Sequence, residues 1–427
     1  MKRLPDPVQK INAWVLGLDL HKKITVWVLL DRRGHFVDQG QIPSRPGALR
    51  ALYKKVIGRK TAHVVFEAGG SSSWAFDTCA DLLEDTSRIH VAHSKLVKAI
   101  ANSTQKNDSN DAWWLAHLTF EQRLPEVWWP RGKYRELRTA CREREAYVNE
   151  RTRIVKRIHA HMRQIGAPLP KGALKNGSER LALRARLPQL TPVLRLAIEQ
   201  ELAHYEMLTQ HILAWEKEIE RMVADWADVA LLKELPGIQT TLAAVITAES
   251  GPIRRFRSQK AYGRYSGAVP TEHSSAGQVR FGKISREGNA HLRWALTQAV
   301  SACMQTKRGK GVAVRNWVLA RERRLGSRKK AITAAARKYA EAIWRLHQLG
   351  ESFDLDIYLG GEEIDCIVGA RCRVLAGFDA SGEHLWSQGF VDHSASHNVQ
   401  AIGVDERNNL FLTGQVGEID FGGGELE

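Results

Sequence analysis

The first 120 residues alternate short apolar runs with turns and helical stretches in an order that few folds share. The runs WVLGLDL (14–20) and ITVWVLL (24–30) are rich in residues that favour strands, and a short turn separates them. A second turn, from Asp31 to Gly34, leads into HFVDQGQI, so the three runs predict a three-stranded meander.

Helical and extended segments alternate after the meander. The pattern predicts helices at 46–57 and 72–84, strands at 61–67 and 88–92, and a further helix from about Asp108. This β-β-β-α-β-α-β-α order is the ribonuclease-H-like arrangement, in which the first strand is central and the fourth lies beside it. We therefore predict an α/β domain over residues 1–128.

Acidic residues stand at the ends of these predicted elements. Asp19 and Glu67 each end an apolar run on neighbouring strands, so their carboxylates are expected to converge. Asp108 and Asp111, three residues apart at a helix start, share one face of that helix. Mg²⁺ prefers oxygen ligands, and two such ions can clamp an in-line phosphoryl displacement. The four residues together predict a magnesium site, although each alone also fits a strand end, a turn or a helix cap.

Net charge indicates the class of partner. The chain has a formal charge of +16 and a pI near 9.7, which favour a polyanion such as nucleic acid. Residues 350–427 contain 15 Asp and Glu but 3 Lys and Arg, so residues 1–349 carry nearly all of the positive charge. The tail therefore differs in kind from the rest of the chain.

Cysteine spacing argues against a zinc-binding protein, and hydropathy argues against a secreted or membrane-spanning one. The five cysteines have no zinc-site spacing, so we expect free thiols in a reducing cytosol and no zinc site. The N-terminus lacks an apolar signal core, and no run approaches the roughly 18 apolar residues of a membrane helix. We expect a soluble, cytoplasmic protein with no membrane partner.

The middle of the chain is helical and highly charged. Apolar residues recur at helical spacing through 133–164 and again through 193–226, on either side of a loop punctuated by prolines. Over residues 129–227 this predicts an antiparallel coiled coil that spaces two domains or joins protomers. An ordinary helical hairpin within one domain fits nearly as well.

A third region, residues 228–353, contains a stretch with candidate chemistry. It opens with a helix-hairpin-helix pattern around Gly237, a glycine that fits either a phosphate-binding turn or a helix C-cap. A Gly- and Ser-rich loop follows, and it contains Ser274 and Ser275. A serine needs a base or metal to attack phosphorus, although most loop serines simply form turns. The nearby candidate bases are Glu272, His273 and His291, and the residues expected to contact phosphates are Arg280, Lys283, Arg286 and Arg293.

These motifs, taken in order, resemble one family. They are GLDLHK from Gly17, FEAGG ending at Gly70, KNDSNDA with Asp108 and Asp111, LPGI from Leu235, the Ser274-Ser275 pair, and GKIS through GN to Arg293. Residues 14–353 resemble the one-ten family of insertion-sequence transposases. Trp74, a few residues after Glu67, resembles the eleven-eleven branch of that family.

The resemblance implies a mechanism. Family members have a RuvC-like domain with an Asp-Glu-Asp-Asp metal site, which maps onto Asp19, Glu67, Asp108 and Asp111, and a C-terminal domain with a serine nucleophile, which maps onto Ser275. A structured noncoding RNA guides them to double-stranded DNA at element ends and targets, and they act as homodimers or homotetramers. Ala276 stands where the family has glycine after the nucleophile, so Ser274 remains an alternative to Ser275.

The acidic tail, residues 354–427, departs from the family. Its Leu-Trp, Val-Asp and Asp-Phe-Gly-Gly-Gly motifs resemble one unit of a β-propeller-type repeat, and one repeat cannot bury its own apolar face. We expect a short β-rich tail that was fused to the enzyme or is disordered, with an evolved acidic regulator as the alternative.

Three functions remain open on the sequence. The first is a transposase that cuts and rejoins DNA with Mg²⁺ and a phosphoserine intermediate. The second is a RuvC-like junction nuclease that uses the carboxylates and water, with Ser275 dispensable. The third is an inactive nucleic-acid-binding protein.

Overall fold

The computed structural model describes residues 11–58, 60–83, 85–101, 108–272, 281–284 and 288–350, together with four strands of the tail. Side chains are not described at 98–101, 108–109, 270–272 and 281–283, or in the tail strands. The chain divides into two compact units, Met1–Pro130 and Arg131–Glu427.

The first unit contains a five-stranded mixed sheet. Its elements are β1 (Trp14–Leu20), β2 (Ile24–Leu30), β3 (Phe36–Pro43), α1 (Pro46–Val56), β4 (Ala62–Glu67), α2 (Ser72–Leu82), β5 (Ile89–Ala92), α3 (Ser94–Ala101) and α4 (Asp108–Phe120). The strand order is β3-β2-β1-β4-β5, with β2 antiparallel to both of its neighbours and β1, β4 and β5 parallel. The predicted order of the strands and the neighbouring positions of the first and fourth strands are thereby confirmed, whereas helix α3, between β5 and α4, is not among the predicted elements.

Helices cover both faces of this sheet. Because side chains alternate along a strand, Leu16 and Leu18 of β1 face one side, where residues of α1 and α2 complete an apolar core. Val15 faces the other side, where Ala112 and Leu115 of α4 complete a second core. Strands buried on both faces read as continuous apolar runs, and this is why β1, β2 and β4 lack polar alternation.

The second unit is mainly helical. Its elements are α5 (Gly132–Gln164), α6 (Gly177–Arg186), α7 (Pro192–Val223), α8 (Ala227–Leu232), α9 (Thr240–Ser250), α10 (Gln259–Tyr265), β6 (Pro270–Glu272), β7 (Phe281–Ile284), α11 (Ala290–Cys303), α12 (Gly311–Leu325) and α13 (Arg328–Leu349). A mixed-sheet domain followed by a mostly helical region agrees with the fold class that the sequence predicts.

Helices α5 and α7 form an antiparallel hairpin within the chain. The ion pairs Arg144–Glu216 (2.6 Å) and Arg157–Glu201 (2.8 Å) join them in antiparallel register. Near the end of α5, Ile158 packs against α7 and against Leu183 of α6 in a separate apolar core. The prediction of two long antiparallel helices is confirmed, whereas a role in joining protomers stays a prediction.

The Pro-Gly turn before α9 packs into the core of the second unit. Gly237 has a φ of +77°, and a Cβ there would collide with the carbonyl group of Ala299 on α11. The hydroxyl of Tyr339 donates to the carbonyl oxygen of Pro236 at 3.0 Å. Packing therefore explains this glycine, and neither the phosphate-binding turn nor the helix C-cap is needed to account for it.

The acidic tail contains two antiparallel strand pairs. They are β8 (Arg371–Phe378) with β9 (His384–Asp392), and β10 (Asn398–Val404) with β11 (Leu410–Gln415). The β-rich character of the tail agrees with the sequence prediction, and its propeller-type origin stays a prediction.

Candidate active site

Asp19 and Glu67 lie side by side at one edge of the sheet. The parallel register of β1 and β4 pairs Leu18 with Phe66, and continuing it by one residue places Asp19 next to Glu67. Asp19 is four residues after Val15 on β1, and Glu67 is two residues after Val65 on β4. Both valines belong to the α4-facing core, and even spacing along a strand keeps residues on one face, so both carboxylates belong to the face that α4 covers. The predicted convergence of these two residues therefore follows from strand register.

Helix α4 brings Asp111 to the same edge. A Cβ at Gly17 would collide with the carbonyl group of Ala112 and would lie 3.0 Å from the Cβ of Ala116, so the helix backbone rests directly on β1 there. Gly17 is two residues before Asp19 on the same strand face, and Asp111 immediately precedes Ala112. We name Asp19, Glu67 and Asp111 the acidic edge. Asp108 begins α4, and its side chain lies outside the described part of the structure.

The surroundings of the acidic edge combine burial with a fixed turn. The Asp19 side chain is 17% exposed, and its Oδ2 lies 3.1 Å from Nε2 of His21. Beyond β4, the hydroxyl of Ser72 donates to the carbonyl oxygen of Glu67 and accepts from the amide of Gly69, both at 2.7 Å. These bonds fix the Gly-Gly turn that follows Glu67.

The acidic edge offers only oxygen ligands, which suit a hard divalent cation. Among the residues whose positions are described, no three His, Cys, Asp or Glu side chains lie close enough together to hold a metal ion. That statement does not cover Asp108, the fourth predicted ligand, because its side chain is not described. The donor chemistry and the shared sheet face fit the predicted metal site, while the complete four-carboxylate arrangement stays a prediction.

Much of the predicted serine site lies outside the described residues. This is true of Ser274, Ser275, His273, Arg280 and Arg286, and of the side chains of Glu272 and Lys283. Two residues of the predicted site, His291 and Arg293, have described side chains, and both lie on α11. Nη1 of Arg293 lies 3.5 Å from the carbonyl oxygen of Gly267, and Nδ1 of His291 lies 2.6 Å from Oε2 of Glu145.

The two ends of the serine segment, which we define as residues 268–287, meet at its base. Gly267 has a φ of +66°, and a Cβ there would lie 3.0 Å from the Cα of Gly288. The amide of Asn289 donates to the carbonyl oxygen of Tyr265 at 2.8 Å. Only glycine permits this approach of two backbones. We name Tyr265, Gly267, Gly288 and Asn289 the segment base.

Sequence reasoning missed Glu249, the most connected buried charge beside this base. Its carboxylate, 1% exposed, accepts from Arg142 at 2.8 and 3.1 Å and from the side-chain amide of Asn289 at 2.8 Å, and Nε of Arg138 lies 3.4 Å away. The available signal was one charged residue in the otherwise uncharged helix TTLAAVITAES. Burial of an unpaired carboxylate is strongly unfavourable, so such a residue indicates a partner.

Electrostatics agree with this arrangement. Burial acts to raise the pKa of Glu249, but the hydrogen bonds from Arg142 and Asn289 and the charge of Arg138 outweigh it, so the net pKa is lowered. Burial likewise acts to lower the pKa of Arg142, and the bond to Glu249 reverses the effect and raises it. The two partners therefore shift in the directions expected of an ion pair.

A chain of three polar side chains on the sheet of the first unit was also not predicted. Nδ1 of His63 lies 2.7 Å from Nε2 of His90, and Nδ1 of His90 lies 2.6 Å from Oε1 of Glu126. Burial, the positive charge that His90 can carry and Arg88 lower the pKa of His63 to about 4. His63 is therefore neutral at physiological pH.

Two family models match the chain. One, for DEDD transposases of the IS110 type, matches residues 16–167 and includes the acidic edge. The other, described as the transposase IS116/IS110/IS902 family, matches residues 229–312 and includes Glu249 and the segment base. The chain belongs to this transposase family.

Curated relatives agree. The chain is 28% identical over 251 residues to the transposase for insertion sequence element IS1328 of Yersinia enterocolitica, covering 58% of this chain and 74% of that protein. It is 25% identical over 342 residues to the transposase for insertion sequence element IS1111A of Coxiella burnetii, covering 79% and 91%. A probable family 20 transposase of Pseudomonas aeruginosa is 24% identical, with 79% and 97% covered.

The family makes this chain an insertion-sequence transposase, an enzyme class that binds DNA and recombines it. Its DEDD-type domain indicates a divalent metal ion. None of the described helices combines the length and the apolar composition that crossing a membrane requires.

Proposed function

We propose that this transposase cuts and rejoins DNA with Mg²⁺ held at Asp19, Glu67, Asp108 and Asp111 and with Ser275 as nucleophile. The observation that supports the proposal is the acidic edge: strand register puts Asp19 beside Glu67, and α4, which begins at Asp108 and carries Asp111, rests on Gly17 of the same strand as Asp19. When bound there, Mg²⁺ supplies charge that polarises the scissile phosphate.

The chemical step balances with one serine. The Ser275 hydroxyl oxygen forms a bond to phosphorus, the bond from phosphorus to the departing strand breaks, and the serine proton is taken up by the departing oxygen or by a neighbouring base. Attack by a second DNA end on the phosphoserine then restores a phosphodiester. Retaining the phosphoester bond between the two steps allows rejoining without another energy source.

Substrate recognition follows from charge and from the family resemblance. Arg280, Lys283, Arg286 and Arg293 would contact phosphates of double-stranded DNA at the element end and the target, and contacts of that kind position DNA without reading its sequence. A structured guide RNA would then supply sequence recognition by base pairing. A homodimer or homotetramer would hold the two DNA partners together.

The test compares carboxylates on the same sheet. Asp19→Asn should abolish Mg²⁺-dependent cleavage of an element-end duplex, supplied with RNA transcribed from the DNA flanking the gene, while duplex binding persists. Asp38→Asn is the matched control, because Asp38 is an exposed carboxylate on β3, the edge strand that β2 separates from β1. Cleavage by Asp19→Asn at the rate of the control would overturn the proposed metal site.

A further inference from the structure

Glu249 of α9 belongs neither to the proposed metal site nor to the serine segment. Its carboxylate is buried beside the segment base, and it is bonded from three directions. A buried ion pair is frequently no more stabilising than an apolar replacement, so stability alone does not account for it. Its bonds to Arg142 of α5 and to Asn289 before α11 indicate a role in holding these elements together.

Both ends of the serine segment are tied to Glu249. On the side that precedes the segment, the hydroxyl of Tyr265 donates to the main-chain carbonyl of Glu249 at 2.8 Å. On the side that follows it, the side-chain amide of Asn289 donates to the Glu249 carboxylate at 2.8 Å. One residue therefore holds the two points where the chain enters and leaves the segment.

Asn289 has a second function in this arrangement. Its side-chain oxygen accepts from the amide of Leu292 at 3.0 Å and so caps the start of α11. Because its oxygen is committed to the helix and its nitrogen to Glu249, the side chain has one orientation. The end of the serine segment is thereby fixed relative to both α9 and α11.

The long helix α5 contacts the same cluster. Arg142 binds both carboxylate oxygens of Glu249, and Arg138 donates to the carbonyl oxygens of Ala248 and Glu249, both at 3.1 Å. These contacts place positive charge at the C-terminus of α9, where main-chain carbonyls lack helical partners. The α5–α7 hairpin and the segment base are therefore joined through Glu249.

We propose that Glu249 is a positioning residue: with Arg138, Arg142 and Asn289 it holds the base of the serine segment in register with α5, and so sets the position of the nucleophile. The inference rests on the proposed function for its chemical consequence. Glu249 itself contacts no DNA in this account. A movement of the α5–α7 hairpin would reach the serine segment through these bonds.

The decisive experiment exchanges the two hydrogen-bonding partners in the full-length protein. Asn289→Asp keeps a helix-capping residue but sets two carboxylates against each other, whereas Glu249→Gln with Asn289→Asp restores one amide and one carboxylate. The control, Arg144→Gln, removes the ion pair to Glu216 from the same helix without touching the segment base. The probe is an end-labelled element-end duplex with RNA transcribed from the DNA flanking the gene, in Mg²⁺.

Two readouts separate positioning from general stability. Asn289→Asp should slow formation of the protein–DNA adduct at least about tenfold, with duplex affinity within about twofold of wild type, because the transition state rather than binding is affected. Amide hydrogen exchange at residues 265–289 should rise in the same variant. The double variant should recover part of both readouts, because Glu249→Gln leaves Arg142 with one acceptor oxygen in place of two. Arg144→Gln should match wild type.

The outcomes distinguish this inference from the proposed function. If wild type forms no adduct, the serine mechanism fails, and hydrogen exchange alone decides the role of Glu249. Unchanged exchange and unchanged adduct formation in Asn289→Asp would overturn the positioning role. The absence of any recovery in the double variant would also overturn it, because a merely structural role predicts no rescue.

Discussion

The acidic edge and the segment base are assembled by different forces. Strand register and a helix resting on Gly17 place Asp19, Glu67 and Asp111 at one edge of the sheet, so the first site depends on backbone packing. The segment base depends on a buried charge, since Glu249 joins α5, α9 and α11 through arginine and asparagine side chains. The packing contact should therefore be sensitive to volume, and the buried cluster to charge.

Loss of the buried charge should have the largest effect on stability. Glu249→Ala leaves Arg142 and Asn289 without their acceptor. Removal of one partner from a buried ion pair destabilises by about 3 to 5 kcal/mol, and the lower end is expected here because the Arg142 side chain is 47% exposed. Chemical denaturation followed by hydrogen exchange in the second unit measures this change. Glu216→Ala removes a carboxylate that is 30% exposed, against 1% for Glu249, and should cost less, about 1 kcal/mol. Equal losses in the two variants would contradict the charge-based account.

Added volume should have the next largest effect, in the first unit. Gly17→Ala forces α4 away from β1, because the new methyl group meets the carbonyl of Ala112, and overpacking of this kind costs about 1 to 3 kcal/mol. Cleavage should fall as well, since Asp111 moves with the helix. Gly47→Ala is the control, because no atom lies within 4 Å of a Cβ there. Normal cleavage by Gly17→Ala would show that the packing of α4 on Gly17 does not position Asp111.

Acid should separate the two units by the pH at which each loses stability. The folded pKa of His63, about 4, lies below the ordinary value of 6.5, so the unfolded state binds more protons between these values. The contribution of neutral His63 is present above about pH 6.5 and is lost as the pH falls toward 4, by about 1 to 2 kcal/mol once solvent screening is allowed for.

The lowered pKa of Glu249 also makes the second unit less stable in acid, although Glu249 is an acidic group and His63 a basic one. Its contribution is present above about pH 4.5, the ordinary carboxyl value, and is lost only as the pH falls through the lower folded value. Hydrogen exchange from pH 7 to 4.5 should therefore report weakening of the first unit before the second. His63→Gln should flatten the response of the first unit, and an unaltered response would show that another group titrates.

Removal of the tail should have the smallest effect. A chain ending at Leu359 lacks strands β8 to β11 and most of the acidic residues after 350. Its melting temperature should equal that of the full chain, and nucleic-acid binding should strengthen slightly, because negative charge no longer competes for the basic surface. A substantial fall in melting temperature would mean that the tail is an integrated domain.

The two regions also differ in how far the sequence predicts them. Asp19 and Glu67 end apolar runs whose order along the chain implies a neighbouring pair of strands, so the sheet edge could be located without coordinates. Glu249 could not, because its partners Arg142 and Asn289 are 107 and 40 residues away along the chain, and no local period connects them. The collision of Gly17 with Ala112 is equally long-range, although a glycine within a strand indicates close backbone approach.

The most direct test of the account is to map the covalent adduct between the full-length protein and end-labelled element-end DNA. The account predicts a peptide with DNA attached at Ser275 in the wild type, no adduct in Ser275→Ala, and no adduct in Asp19→Asn, because the carboxylates and the serine act in the same step. Attachment at Ser274 would move the nucleophile by one residue. Cut DNA with free ends and no attached protein would contradict the account and favour a junction nuclease that uses water.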